Sequence, residues 1–142
     1  MFGFRGAKEA IKLLKDNGFL IFLITNQPGI ARKRLKIKTL EAIHNKMQRE
    51  LQEIETCIDD IFICYHNWDD GCDCRKPKPG MIYEAQRKHS LNLRECILIG
   101  DDERDIEAGK AAGIIHNYLL RDDIYLKDIV NDVIQNKHIE WA

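Results

Sequence analysis

Several features are missing from this sequence of 142 residues. No apolar run approaches the roughly 18 residues that a membrane-spanning helix needs, so insertion in a bilayer is not expected. The opening residues, Met1 to Arg5, lack the charged start, long apolar stretch and small-residue cleavage site of a signal peptide. A cytoplasmic location is the expected default. Net charge is only −1, so the chain as a whole does not attract nucleic acid or acidic membranes. The local basic stretch Arg32-Lys33-Arg34, with Lys36 and Lys38, is not interleaved with aromatics. It reads as a solvated helix start or as a patch that steers anionic substrate, and not as a nucleic-acid surface. No internal repeat, low-complexity tract or linker breaks the chain, and one domain over 1–142 is expected.

What is present is an alternation of segment types. Ala7, Ala10, Ile11 and Leu14 make a helical stripe that Asn17-Gly18 stops. Phe19 to Ile24 is an unbroken apolar run of strand length, which suits a parallel strand covered on both faces. A loop with Pro28 and Gly29 follows. Leu40, Ile43, Met47, Leu51 and Ile54 then repeat at helical spacing. Ile58 to Cys64 reads as a strand, and Pro79 as the first residue of a helix running to about His89. Cys96 to Gly100 is a further strand, Glu103 to Ala112 a helix stopped by Gly113, and Ile114 to Leu120 a fourth strand. Tyr125 to Ile134 closes the pattern as a helix. Strands alternating with helices imply an α/β fold with a parallel sheet. Ligands in such folds bind beyond the carboxyl ends of the strands. That rule selects Thr25-Asn26, the stretch from Cys64 onward, and Asp101-Asp102.

Chemically suggestive residues sit at all three places. Cys64, His66, Cys72 and Cys74 offer three thiolates and an imidazole within eleven residues, a soft tetrahedral set that suits a closed structural zinc site in a loop over 64–74. Ordinary cysteines are the competing reading. Cys57 and Cys96 are expected in the core as small apolar residues. Thr25-Asn26-Gln27 presents a hydroxyl and backbone N–H groups that can hold phosphate oxygens; taken alone it reads as a turn or cap. In Arg75-Lys76-Pro77-Lys78-Pro79, Lys76 can offset charge on a transferring phosphoryl group and Arg75 can grip a second phosphate, although a solvated basic turn has the same composition. Gly100-Asp101-Asp102-x-x-Asp105 places carboxylates where Mg2+ could bind, or where they would serve a helix dipole. Trp68 could contact substrate or pack over the cysteine loop. His44, His89, His116 and His138 show no partner pattern.

Together these residues resemble the haloacid dehalogenase (HAD) superfamily. The likeness is to the branch of D,D-heptose 1,7-bisphosphate and histidinol-phosphate phosphatases. It is carried by Ile24-Thr-Asn-Gln-Pro-Gly-Ile-Ala-Arg32, by Cys64-x-His66, by Cys72-Asp-Cys-Arg-Lys-Pro77 with Pro79-Gly-Met81, and by Ile99-Gly-Asp-Asp-x-x-Asp105, across about Phe2 to Leu120. The resemblance implies a three-layer α/β sandwich with a mainly parallel, Rossmann-like sheet. It implies hydrolysis of a small phosphorylated sugar or amino alcohol through an aspartyl-phosphate. Thr25 and the Asn26 backbone N–H would hold phosphoryl oxygens, Lys76 would neutralise them, and Arg75 would contact the distal part of the substrate. Asp101 would bind Mg2+, supported by Asp102 or Asp105, and Cys64, His66, Cys72 and Cys74 would hold Zn2+. The Asn67–Asp70 loop and Gly71 make a shorter link than the heptose enzymes suggest.

One further absence emerges only against that family. Its chemistry begins with an Asp-x-Asp-Gly-Thr motif on the first strand, whose first aspartate attacks phosphorus and whose second shuttles the proton. The motif does not occur here, and a block of roughly 25–30 residues, a strand with its loops, is expected to be missing. The resemblance puts that strand at the sheet centre, between the strands ending near Thr25 and Asp101. Three origins are open: a misassigned start, a remnant or split enzyme, or a zinc-stabilised domain that binds without catalysis. Little or no phosphatase activity is expected of the chain as written. An unpaired strand edge would permit self-association.

Overall fold

The computed structural model describes residues 6–67, 70–121 and 125–136. Trp68, His138 and Trp141 lie outside them. Helix α1 spans Ala7–Asp16, strand β1 Phe22–Asn26, a short helix α2 Pro28–Ala31 and helix α3 Ile37–Glu53. Strand β2 is Asp60–Cys64 and helix α4 Gly80–His89. A single 3-10 turn, Leu93–Glu95, leads into strand β3, Ile97–Gly100. Helix α5 is Glu103–Ala112, strand β4 His116–Leu119 and helix α6 Leu126–Gln135.

Both ladders among the described residues are parallel. Strand β1 pairs with β2 in the register Phe22 with Asp60 through Asn26 with Cys64. Strand β3 pairs with β4, Ile97 with His116 through Gly100 with Leu119. The sheet is divided: among the described residues β1–β2 and β3–β4 are two separate ladders, and no strand has a second partner. The division falls between the strands that lead to Asn26 and to Asp101.

Side-chain alternation along the strands builds three layers. Ile21 and Leu23 pack with Met47, Leu51 and Ile58 beneath α3. Phe22 and Ile24 point the other way, to Met81 and Ala85 of α4. Ile97 and Ile99 meet Ala10, Leu14, Ile129, Val130 and Val133 of α1 and α6. Leu98 faces Ile82 of α4 and Ile106 of α5. Helices α1, α3 and α6 thus cover one face, and α4 and α5 the other. The two ladders share this core, because α4 touches β1, β2 and α5.

The structure departs from sequence expectation in several places. The apolar run from Phe19 enters its strand only at Phe22, since Phe19 and Ile21 serve as packing for α6 and the Ile21 N–H donates to Asp59 (2.6 Å). No residue of β1 is fully buried despite the unbroken apolar run, because only one of its edges has a ladder partner. Pro28 and Gly29 lie in the one-turn helix α2 instead of a loop, with Pro28 supplying a preset φ at its start. Ile43 is exposed although it matches the α3 stripe, and Cys57 is exposed in the turn before β2, not in the core. Pro79 is the N-cap of α4, one position earlier than expected.

Candidate active site and metal centre

The carboxyl ends of β1, β2 and β3 are tied together by side chains. Asn26 is the last residue of β1. Its carboxamide Oδ1 accepts from the Lys76 backbone N–H (3.1 Å), and its Nδ2 donates to the Lys76 carbonyl (3.5 Å). The Gln27 N–H donates to the carbonyl of Cys64 at the end of β2 (2.8 Å). Lys76 then extends to the third strand end, where its Nζ meets Asp105 Oδ1 at 2.5 Å. The loop after β1, the basic loop after β2 and the helix after β3 therefore form one hydrogen-bonded chain.

Asp105 is the one charged side chain buried in the core among the described residues. Its second oxygen, Oδ2, accepts from the backbone N–H groups of Asp101 and Asp102 (3.2 Å each). A carboxylate with two amides and an ammonium is fully satisfied, which is the condition for burying it. The turn needs glycine at 100, because a Cβ there would lie 2.4 Å from the Asp105 Cβ. Asp102 is turned away. It caps α5 by accepting from the Arg104 N–H (2.8 Å) and forms a reciprocal capping box with Asp105. The Arg104 guanidinium beside it, with the Arg104 N–H, holds its carboxyl down at about 2. Asp101 is exposed at the tip of β3.

Thr25 is half-buried, and its Oγ1 accepts from Gln27 Nε2 (3.1 Å). Arg75 is half-buried next to Lys76. The loop that carries both is pressed onto α4: a Cβ on Gly80 would lie 2.2 Å from the Asp73 carbonyl oxygen, and the Gly80 N–H donates to that oxygen (3.0 Å).

The second constellation begins at Cys64. The ligand atoms of Cys64, His66, Cys72 and Cys74 all lie within 4.8 Å of one another. Cys64 Sγ is 3.7 Å from Cys72 Sγ and 3.6 Å from His66 Nδ1, and His66 Nδ1 is 3.1 Å from Cys74 Sγ. All five cysteines are reduced. Burial opposes ionisation of Cys72, but the Arg75 N–H and the neighbouring thiols bring it down to about 7. Burial and the neighbouring Cys64 and Cys72 thiols push Cys74 up. A bound cation would favour the thiolate forms of the cluster. Arg32 Nε donates to Asn67 Oδ1 (3.0 Å), joining the loop after β1 to this cluster.

A model of haloacid dehalogenase-like hydrolases matches residues 2–113. The chain belongs to that family. A Bordetella bronchiseptica D-glycero-beta-D-manno-heptose-1,7-bisphosphate 7-phosphatase is 42% identical over 108 residues, which are 76% of this chain and 60% of that enzyme. A Helicobacter pylori enzyme of the same name is 38% identical over 117 residues, 82% of this chain and 68% of that one. The chain therefore spans about three fifths to two thirds of the length of the curated relatives it matches. The crystal structure of the B. bronchiseptica D,D-heptose 1,7-bisphosphate phosphatase, complexed with magnesium and phosphate, superposes with a TM-score of 0.84 at 33% identity. That alignment covers 92% of this chain and 83% of the other. The parallel α/β arrangement of this HAD-like chain agrees with that neighbour.

Within this family member, Asn26, Lys76 and Asp105 are in direct contact, Thr25 and Arg75 adjoin them in sequence, and the four cysteine and histidine ligands form one cluster. The Asp102 carboxylate is held at the surface by Arg104. Three features were not read from the sequence: the Asn26 side chain as a clamp, the Arg32–Asn67 link, and the partners of His89. His89 Nε2 lies 2.8 Å from Asp60 Oδ2 and its ring packs on Phe22, at the opposite end of β1. The D-x-x-D spacing of a capping box was the available signal for Asp105. Nothing local signals the others, whose hydrogen-bond partners lie 29 to 50 residues away.

Proposed function

We propose that this chain is the phosphoryl- and metal-binding part of a sugar-phosphate phosphomonoesterase, acting on a D-glycero-D-manno-heptose 1,7-bisphosphate at its 7-phosphate. The observation that carries the reading is the Asn26–Lys76–Asp105 chain, which fixes an ammonium at the carboxyl ends of β1 and β3, the strand ends that also carry Thr25 and Asp101. In this reading Lys76 offsets the negative charge of the transferring phosphoryl group. Thr25 Oγ1 and the Asn26 N–H take its oxygens, and Arg75 takes the distal phosphate with its planar fork.

Two metals fit this reading. Asp101 offers exposed carboxylate oxygens, the hard donors Mg2+ takes alongside water and phosphate. When bound there, Mg2+ would lower the charge on the phosphoryl oxygens. Asp105 supports the loop through its backbone N–H groups and not as a ligand. Zinc fits the cysteine loop. A tetrahedron with Zn–S bonds of about 2.3 Å has an S···S edge of about 3.8 Å, close to the 3.7 Å between Cys64 and Cys72. Its role is structural, because all four positions are filled by protein.

The reaction itself needs a nucleophile. Asp105 is fully engaged, and Asp102 is held by Arg104. The proposal is that an aspartate on an added strand, seated between β1 and β3, attacks phosphorus. The second aspartate of the same motif gives its proton to the leaving sugar oxygen, then takes one from the water that hydrolyses the aspartyl-phosphate to free phosphate. The engaged state of Asp102 and Asp105 also favours a second reading, in which the chain alone binds phosphorylated ligands without turnover.

The test is substrate profiling of the chain extended by a strand bearing Asp-x-Asp-Gly-Thr. Phosphate release with Mg2+ is expected to be fastest from heptose 1,7-bisphosphate. Equal or faster release from histidinol phosphate would replace the substrate assignment.

A further inference from the structure

We infer that the Asn26 side chain is a positioning residue that fixes Lys76 for the phosphoryl group. Its backbone N–H is a separate matter from this role. An Asn at a strand end ordinarily satisfies backbone groups one to three residues away. Asn26 instead reaches 50 residues along the chain and brackets both backbone polar groups of one residue, Lys76. Its place is set by the β1–β2 register, which puts Asn26 beside Cys64 at the last rung. Lys76 is therefore held at two points. Asn26 holds its backbone and Asp105 holds its ammonium.

The physical consequence concerns a flexible side chain. A lysine has four rotatable stem bonds, and fixing its head alone leaves the stem's origin free to drift. With the backbone clamped to β1 and the head tied to α5, the ammonium is set relative to both ladders at once. Those ladders share no hydrogen bonds among the described residues. Preorganised charge of this kind needs no rearrangement when charge develops on the substrate. The functional meaning rests on the phosphatase reading. The clamp itself does not.

The test is competitive acetylation of the whole chain with acetic anhydride, with each lysine's rate read by mass spectrometry. Lys88, whose side chain is 60% exposed, is the internal reference. In the native chain Lys76 should react far more slowly than Lys88. Asn26→Ala and Asn26→Ser, which lose both bonds of the carboxamide, are each expected to raise the Lys76 rate by about fivefold or more relative to Lys88, about fivefold being the change one lost hydrogen bond carries. Asn26→Asp keeps the acceptor for the Lys76 N–H and loses only the longer bond to its carbonyl, so its rate should rise clearly less than in either variant that lacks both. A merely structural Asn would not show that partial rescue. Two variants lacking the amide are included so that a folding failure of one leaves the other decisive. An unchanged Lys76 rate in the folded variant, or an equal rise in Asn26→Asp, overturns the inference. Since no turnover is read, a failed phosphatase assignment would appear separately, as an extended chain that releases no phosphate while the labelling pattern holds.

Discussion

Lys76 Nζ and Asp105 Oδ1 form an ion pair whose side chains are only 15% and 10% exposed, and it joins the basic loop after β2 to the helix after β3. Breaking such a pair from one side leaves an uncompensated buried charge, which costs about 3–5 kcal/mol.

Asp105→Ala should therefore be strongly destabilising, because it also strips the Asp101 and Asp102 N–H groups of their acceptor. Asp105→Asn should be milder, since an amide oxygen can still accept from both. Urea unfolding followed by circular dichroism checks the order. Equal midpoints for the two variants would contradict it.

Gly100→Ala tests the same turn by volume. The added methyl would meet the Asp105 side chain and must displace it, with a cost of about 1–3 kcal/mol. The urea midpoint should fall, and the Lys76 acetylation rate should rise with it.

Zinc removal should loosen the loop over 64–74. We expect one zinc per chain by elemental analysis, and loss of folding stability on the order of several kcal/mol on chelation. Cys72→Ser should reduce metal content to background. A fully metal-free chain with unchanged thermal stability would remove the structural role.

The acid limb of stability should carry a signature of Asp60. Lys88 and His89 hold its carboxyl down at about 2, against about 4 in an unfolded chain. The folded state binds fewer protons in that window, so the stabilisation is present above pH 4 and is lost as pH falls toward 2. Asp60→Asn should flatten part of this fall in urea midpoints. It should not flatten all of it, because Asp102 titrates in the same window.

The periodic segments were legible because their partners are local or their patterns repeat. The helices around Leu14, Met47 and Ile106, the four parallel strands and the cysteine cluster all announced themselves by spacing. The boundaries that shifted did so for non-local reasons: Ile21 left its strand to meet Asp59, and Ile43 lies beyond the surface that α3 buries. The division of the sheet left no trace in β1 itself, whose apolar run reads as a strand covered on both faces; its signal was the missing Asp-x-Asp-Gly-Thr segment. Asp102 and Asp105 have the same chemistry in sequence. Only the fold tells the surface cap from the buried partner of Lys76.

The central claim is that this chain supplies the phosphoryl and metal groups of the site and that the nucleophile comes from an added strand. The most direct measurement is Mg2+-dependent phosphate release from heptose 1,7-bisphosphate, by the chain alone and by the chain joined to an Asp-x-Asp-Gly-Thr strand. The account predicts background release from the first and enzymatic release from the second, abolished by Lys76→Ala. Enzymatic rates from the chain alone, or none from the joined protein when it is folded, would contradict it.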